Sequence, residues 1–282
     1  MPATRAVTTQ APLPVRRGYV DGPWGQIHYY ACGEGEPVLL AHQSPVCARQ
    51  FERGLPLLAA RGLRAIAVDT PGYGNSDPPP APPSIDAYAA TFTALLDGLG
   101  LERAHCLGHH TGAGILCRFA VASPGRVQRL VLNGPPLIPA EVRDAFLADP
   151  PVGPPQPRRD GSHLTDAWAR RLHFTPGWTD LAAMHRRLID ELWAGDAVGR
   201  GHNAAFHYDM APDLHALTVP TLIFTNSGDD LYEASLAARA LRPDFAFAAL
   251  AAGTHDIVDE QPAARAAVVA HFLCAGRVAG GN

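Results

Sequence analysis

The sequence lacks any apolar run approaching the ~20 residues needed to span a bilayer, so no membrane association is expected. Its first 17 residues, MPATRAVTTQAPLPVRR, have no apolar centre of the kind a secretory signal carries, and they read as a flexible lead-in. No basic run is interleaved with aromatics and the net charge is −4, which argues against a nucleic-acid partner. Cysteine is sparse. The five (Cys32, Cys47, Cys106, Cys117, Cys274) are odd in number and scattered, with neither zinc spacing nor a disulfide framework. They read as reduced, packed thiols of a cytoplasmic protein.

Two further absences concern ligands. The glycine-rich DTPGYGNSD (69–77) has neither the lysine of a phosphate-binding P-loop nor G-x-G-x-x-G spacing, so it predicts a turn and not a nucleotide site. Histidine is plentiful, at 13, but no H-E-x-x-H pair occurs, and His202 and His207 are spaced five apart, poor for one helical face. No metal and no cofactor are expected. What is present is core: 47% of residues are hydrophobic against 18% charged, which excludes global disorder.

Strand and helix signals alternate from residue 25 to 134. Strands are predicted at 25–33, 37–42, 63–69, 104–108 and 127–134, with helices at 47–62, 84–99 and 111–123. That rhythm predicts an α/β fold with a mostly parallel sheet flanked by helices. It breaks at Pro135, gives way to the proline-rich 149–157 and to amphipathic stretches such as 180–193, and resumes at 219. The expected organisation is a lead-in at 1–17, a core at 18–135 and 213–282, and a helical cap at 136–212.

CLGHHTGAG (106–114) poses the main question. Gly108 and Gly112 have the spacing of a nucleophile elbow, the sharp strand-to-helix turn written G-x-S-x-G, but the centre is His110. In order along the chain come LLAHQSP (39–45), DTPGYGNSD, GHHTG, VPTLIFTNSGDDLYE and GTHDIVDEQP (253–262). Together these resemble the α/β-hydrolase fold, in its epoxide-hydrolase and haloalkane-dehalogenase branch, over nearly the whole chain. The sequence departs from that pattern at His110, where Ser, Asp or Cys is usual, and at Gln43, where the family usually has glycine.

The resemblance implies His110, Asp229 and His255 as the catalytic set. His255 would be general acid or base, and an acid after the 219–228 strand would orient it. Register favours Asp229, with Asp230 as the alternative. Amides of Thr111 and Gln43 would cradle an oxyanion, with Ser44 reaching the pocket and His109 semi-buried beside it. His42 would brace the Gln43 loop. Phe206, His207 and Tyr208, near the insertion's return to the sheet, are candidate substrate contacts in a largely apolar pocket. The expected function is cofactor-independent cleavage of a small carbonyl compound (ester, lactone or thioester), with histidine in place of the serine nucleophile. The alternatives are a lyase, decarboxylase or cofactor-free oxygenase using His255 as base, or a non-catalytic small-molecule receptor. The partner is a small-molecule substrate, and a homodimer is compatible with the sequence.

Overall fold

A computed structural model describes residues 13–149 and 156–276. Eight strands form one sheet in the order β1-β2-β4-β3-β5-β6-β7-β8. They are β1 (Arg16–Gly22), β2 (Gly25–Cys32), β3 (Glu36–Ala41), β4 (Leu63–Val68), β5 (Ala104–His109), β6 (Val127–Asn133), β7 (Thr221–Asn226) and β8 (Ala246–Leu250). β1 pairs antiparallel with β2, and β2 antiparallel with β4; every pairing from β4 to β8 is parallel. The expected mostly parallel sheet is therefore present, with an antiparallel hairpin at one edge.

The central strands are continuous apolar runs because both faces are covered. Along β3, Val38 and Leu40 join one core cluster while Leu39 and Ala41 join the other. One face packs against α2 (Ile85–Gly98), α3 (Thr111–Ala122), α8 (Ala211–Ala216) and α9 (Tyr232–Leu241). The opposite face packs against α1 (Leu55–Ala59), α10 (Ile257–Glu260) and α11 (Pro262–Ala275).

Two expectations need correction. The sequence predicts a lead-in to residue 17, but β1 begins at Arg16 and pairs in full with β2 across a turn closed by Gly25 at φ 118°. Residues 1–12 of that lead-in lie outside the described residues. The single helix expected over 47–62 is instead a 3-10 turn, Ala48–Phe51, followed by the short α1. Pro56 explains the break, since it lacks the amide that would continue a helix but fits the first turn of a new one.

Between β6 and β7 the chain forms α4 (Ala140–Ala148), α5 (Ser162–Phe174), α6 (Leu181–Ala194) and α7 (Arg200–His207) before α8. Most of the proline-rich piece expected at 149–157 lies outside the described residues. Helix α6 starts on a side-chain cap, Asp180 accepting from the Ala183 amide. It buries Ala183, Met184 and Leu188, and with them the charged Arg187.

Charge fastens these inserted helices to the sheet layer. Arg187 Nε lies 3.5 Å from Asp256 Oδ1 and 3.1 Å from Asp259 Oδ2, and Nη1 donates to Gln50 Oε1. Arg49 pairs with Asp190, and Arg53 with Asp180. The exposed pairs contribute little, but stripping one partner from the buried Arg187–Asp256 set would cost about 3–5 kcal/mol. Among the described residues no helix is long and apolar enough to cross a membrane.

Candidate active site

Strand β5 is buried throughout and turns into α3 at a single residue, His110, whose φ of 48° and ψ of −113° lie outside the regions ordinary side chains favour. The turn is tight because helix and strand touch backbone to backbone. A Cβ on Gly112 would stand 2.2 Å from the Ala41 carbonyl oxygen. The His110 amide donates to the Asn133 carbonyl at 2.9 Å, tying the apex to β6. The Asn133 side chain in turn accepts from Arg265 Nε at 2.9 Å. Arg265 is buried, and burial and the Arg187 cation push its pKa down to about 9.

His110 Nε2 donates to Asp229, 2.9 Å from Oδ1 and 3.1 Å from Oδ2. Asp229 sits just past β7, and its Oδ1 also accepts from the Leu231 amide at 2.9 Å, which aims the carboxylate inward. Gly134 makes the meeting possible. A Cβ there would lie 2.5 Å from His110 Cδ2 and 2.9 Å from Asp229 Oδ2, so any larger residue would wedge imidazole and carboxylate apart.

The sequence assigned Asp229 to His255; the structure gives His255 a different neighbour. His255 Nδ1 lies 3.2 Å from Asp230 Oδ2, at ion-pair distance but without hydrogen-bond geometry, and Nε2 lies 3.6 Å from Asp256 Oδ2. The His110 and His255 rings are 6.5 Å apart, centre to centre. Burial pushes His255 down to about 4, with the Arg171 cation adding to the effect and Asp230 opposing it. It is therefore neutral near pH 7. Contact with His255 holds the half-exposed Asp230 carboxyl below its usual range.

The two expected anion-cradling amides differ in availability. The Thr111 amide belongs to the first helical residue, which has no intrahelical acceptor. The Gln43 amide donates to Gln50 Oε1 at 3.4 Å, so the structure gives it another partner. The Gln43 side chain donates to Asp256 Oδ1 at 3.2 Å. His42 bonds Gln43's carbonyl through Nδ1 at 2.8 Å and the Thr70 amide through Nε2 at 3.0 Å, bracing the loop.

His109 is fully buried, and burial drives its pKa well below the ordinary histidine value. Its Nδ1 accepts from Gln50 Nε2 at 3.2 Å. His109, His110 and Asp229 present possible metal-binding atoms within 4.8 Å of one another. Gln50 Oε1 takes Arg187 Nη1 and the Gln43 amide, which fixes the Gln50 side chain with its NH₂ toward His109. His109 then carries its proton on Nε2 and offers that site no lone pair there.

A cavity of about 170 Å³ opens beside the pair. Its lining includes His110, His255, Asp230, Gln43 and Ser44, and none of His109, Thr111, Phe206, His207 and Tyr208. Phe206 stacks on Phe146, His207 Nδ1 bonds the Asn203 carbonyl of its own helix, and Tyr208 donates to Asp213 Oδ2 at 2.6 Å. In their place α5 contributes Arg170, Arg171 and Phe174, α6 Glu191 and α7 His202. Where the sequence predicts a largely apolar pocket, the lining carries four charged residues, Arg170, Arg171, Glu191 and Asp230. One signal in the sequence pointed there: Arg171 shares a helical stripe with Ala167 and Phe174, a charge placed on an inward face.

A family profile described as alpha/beta hydrolase fold matches residues 36–259. The chain is 42% identical over 125 residues to 2-hydroxy-6-oxononadienedioate/2-hydroxy-6-oxononatrienedioate hydrolase 2 of Pseudomonas putida, a match covering 43% of each chain and so less than half of that relative. It is 30% identical over 228 residues to the non-heme chloroperoxidase of Streptomyces lividans, covering 70% of this chain and 76% of that one. Among solved structures, an epoxide hydrolase from an endophytic Streptomyces superposes with a TM-score of 0.75 at 22% identity, covering 94% of this chain and 96% of that one.

Proposed function

The chain belongs to the α/β-hydrolase fold family, and on that premise we propose that it hydrolyses a small carbonyl compound (an ester, lactone or thioester) with His110 and Asp229 as the reacting pair. The observation that carries this reading is the hydrogen bond from His110 Nε2 to Asp229 at the apex of the β5–α3 turn. With Nε2–H donating its hydrogen bond to Asp229, the lone pair of the His110 imidazole is on Nδ1. An imidazole held by a carboxylate is fixed in one tautomer, and its protonated form is stabilised.

In this mechanism Nδ1 takes a proton from water while the water oxygen bonds the carbonyl carbon. The oxyanion forms at the amino end of α3, where the Thr111 amide can donate to it. Collapse breaks the bond to the leaving group, which recovers the proton from the His110 imidazolium. His255, kept neutral because burial disfavours its charged form, would orient the water or carbonyl by hydrogen bonding.

A second reading keeps His110 as the nucleophile, favoured by its place at the apex, where the fold thrusts a side chain into the cavity. Steric chemistry favours the first: Nδ1 adjoins the ring carbon bearing Cβ, which hinders attack on a carbonyl carbon more than removal of a water proton. The names of both relatives and solved neighbours include hydrolases, which supports the reaction class.

The test is a turnover screen of wild type and His110→Ala against chromogenic esters and thioesters, followed by intact-mass analysis after acid quench. Wild-type turnover lost in His110→Ala with no acyl adduct is the expected result. A transient acyl mass on wild type, absent in His110→Ala, would select the nucleophilic reading. Turnover that survives in His110→Ala contradicts both.

A further inference from the structure

Arg171 lines the cavity and carries a buried donor with no partner. It lies on the buried stripe of α5, is 8% exposed, and lines the cavity with His110 and His255. Its Nη2 donates to Asp256 Oδ2, while its Nε has no hydrogen-bond partner. Asp256 does not depend on this contact alone. Its Oδ1 accepts from Gln43 Nε2 at 3.2 Å and lies 3.5 Å from Arg187 Nε. Arg171 can therefore turn part of its fork toward a ligand without stranding a buried carboxylate.

We propose that Arg171 forms an anion subsite in this cavity and that the substrate carries one carboxylate, bound by the guanidinium while the scissile carbonyl faces His110. This rests on the reading that the cavity is the reaction site. The planar fork of a guanidinium matches the two oxygens of a carboxylate, and its weak hydration suits a buried position. Burial and the nearby Arg187 cation already disfavour the charge on Arg171, pushing its pKa down to about 10, so a second anion relieves a real electrostatic cost.

The lining limits the charge of the ligand. Glu191 and Asp230 share the wall, so a dianion such as a phosphate monoester would meet like charge that a monoanion largely escapes. Arg170 is engaged by Glu191 and is more open to water, leaving Arg171 as the buried lining guanidinium with a free N–H.

The test is calorimetric binding of 4-oxopentanoate, a keto carboxylate that cannot be hydrolysed, against 2,5-hexanedione, in which a methyl ketone replaces the carboxylate. Wild type should bind 4-oxopentanoate about tenfold or more tightly over the neutral probe, the discrimination a charge-assisted hydrogen bond gives. The double variant Arg171→Gln/Asp256→Asn removes one cation and one anion together, and should bring the two affinities within about twofold of each other. A wild-type ratio near one overturns the proposal whatever the variant does, and so does a preference undiminished in a folded double variant. Turnover plays no part in either arm. An inactive protein that still prefers the carboxylate would sink the hydrolase reading and leave the subsite standing.

Discussion

Asp229 and His110, 119 residues apart in the chain, meet through Nε2 at 2.9 Å from one carboxylate oxygen and 3.1 Å from the other. His255, the histidine that the order of motifs would assign to Asp229, lies instead beside Asp230 and Asp256. The carboxylate-supported imidazole is thus at the elbow itself, and its consequences can be checked.

The two neighbouring aspartates should differ sharply. Asp229 has a fully buried carboxylate under His110, whereas the Asp230 side chain is 57% exposed. Asp229→Asn should reduce kcat on an ester substrate by about 10²–10⁴-fold, the range of a general-base contribution. Asp230→Asn should change it by less than about tenfold. Equal losses in the two variants would contradict the pairing.

Gly134 should behave as a site residue despite having no side chain. Gly134→Ala places a Cβ 2.9 Å from Asp229 Oδ2 at a backbone φ of 58°. The expected result is a kcat loss approaching that of Asp229→Asn, together with a lower melting temperature from the strained φ. Unchanged kinetics in this variant would show that the pair does not need the space.

The backbone at position 110 stores strain that a deletion can release. At φ 48° and ψ −113° alanine is disfavoured and glycine is not. His110→Gly should therefore be more stable than His110→Ala by about 1–2 kcal/mol in denaturant unfolding, although both lack the imidazole. The reverse order would argue against the elbow geometry.

Buried histidines set the acid side of the stability curve. His105, His202 and His255 are each pushed down to about 4, chiefly by burial. His42 and His109 shift in the same direction. Their folded values lie below the unfolded value near 6.5, so between about pH 6.5 and 4 the unfolded chain binds the extra protons and stability falls as pH drops. Melting temperatures measured across that window should decline steadily on acidification; a flat profile would contradict the burial of these rings.

The parts of this fold that sequence revealed are those decided locally. An apolar run with Gly108 and Gly112 at fixed spacing makes a strand, a turn and a helix, so the elbow and the place of His110 were readable. Asp229 and Asp230 are adjacent, and which imidazole each meets depends on loops from three parts of the chain; the sequence offered both acids but could not pair them. The cavity wall was less legible still. Helical periodicity marks which positions of α5 face inward, but not that Arg171 rather than Phe206 or Tyr208 would reach the cavity, because that depends on how the inserted helices sit over the sheet. β1 escaped notice because a short edge hairpin following a proline-bearing segment has little apolar signal of its own.

The most direct measurement is proton NMR of the strongly downfield imidazole N–H resonance expected when a histidine donates to a buried carboxylate. With His110 donating to Asp229, one such signal should be present in wild type and in His255→Gln and absent in His110→Gln and Asp229→Asn, while a second, from His28 Nδ1 donating to the buried Asp69 Oδ2 at 2.8 Å, should persist in all of them. A signal that survives in His110→Gln and disappears in His255→Gln would show that Asp229 serves His255, and would contradict the account at its centre.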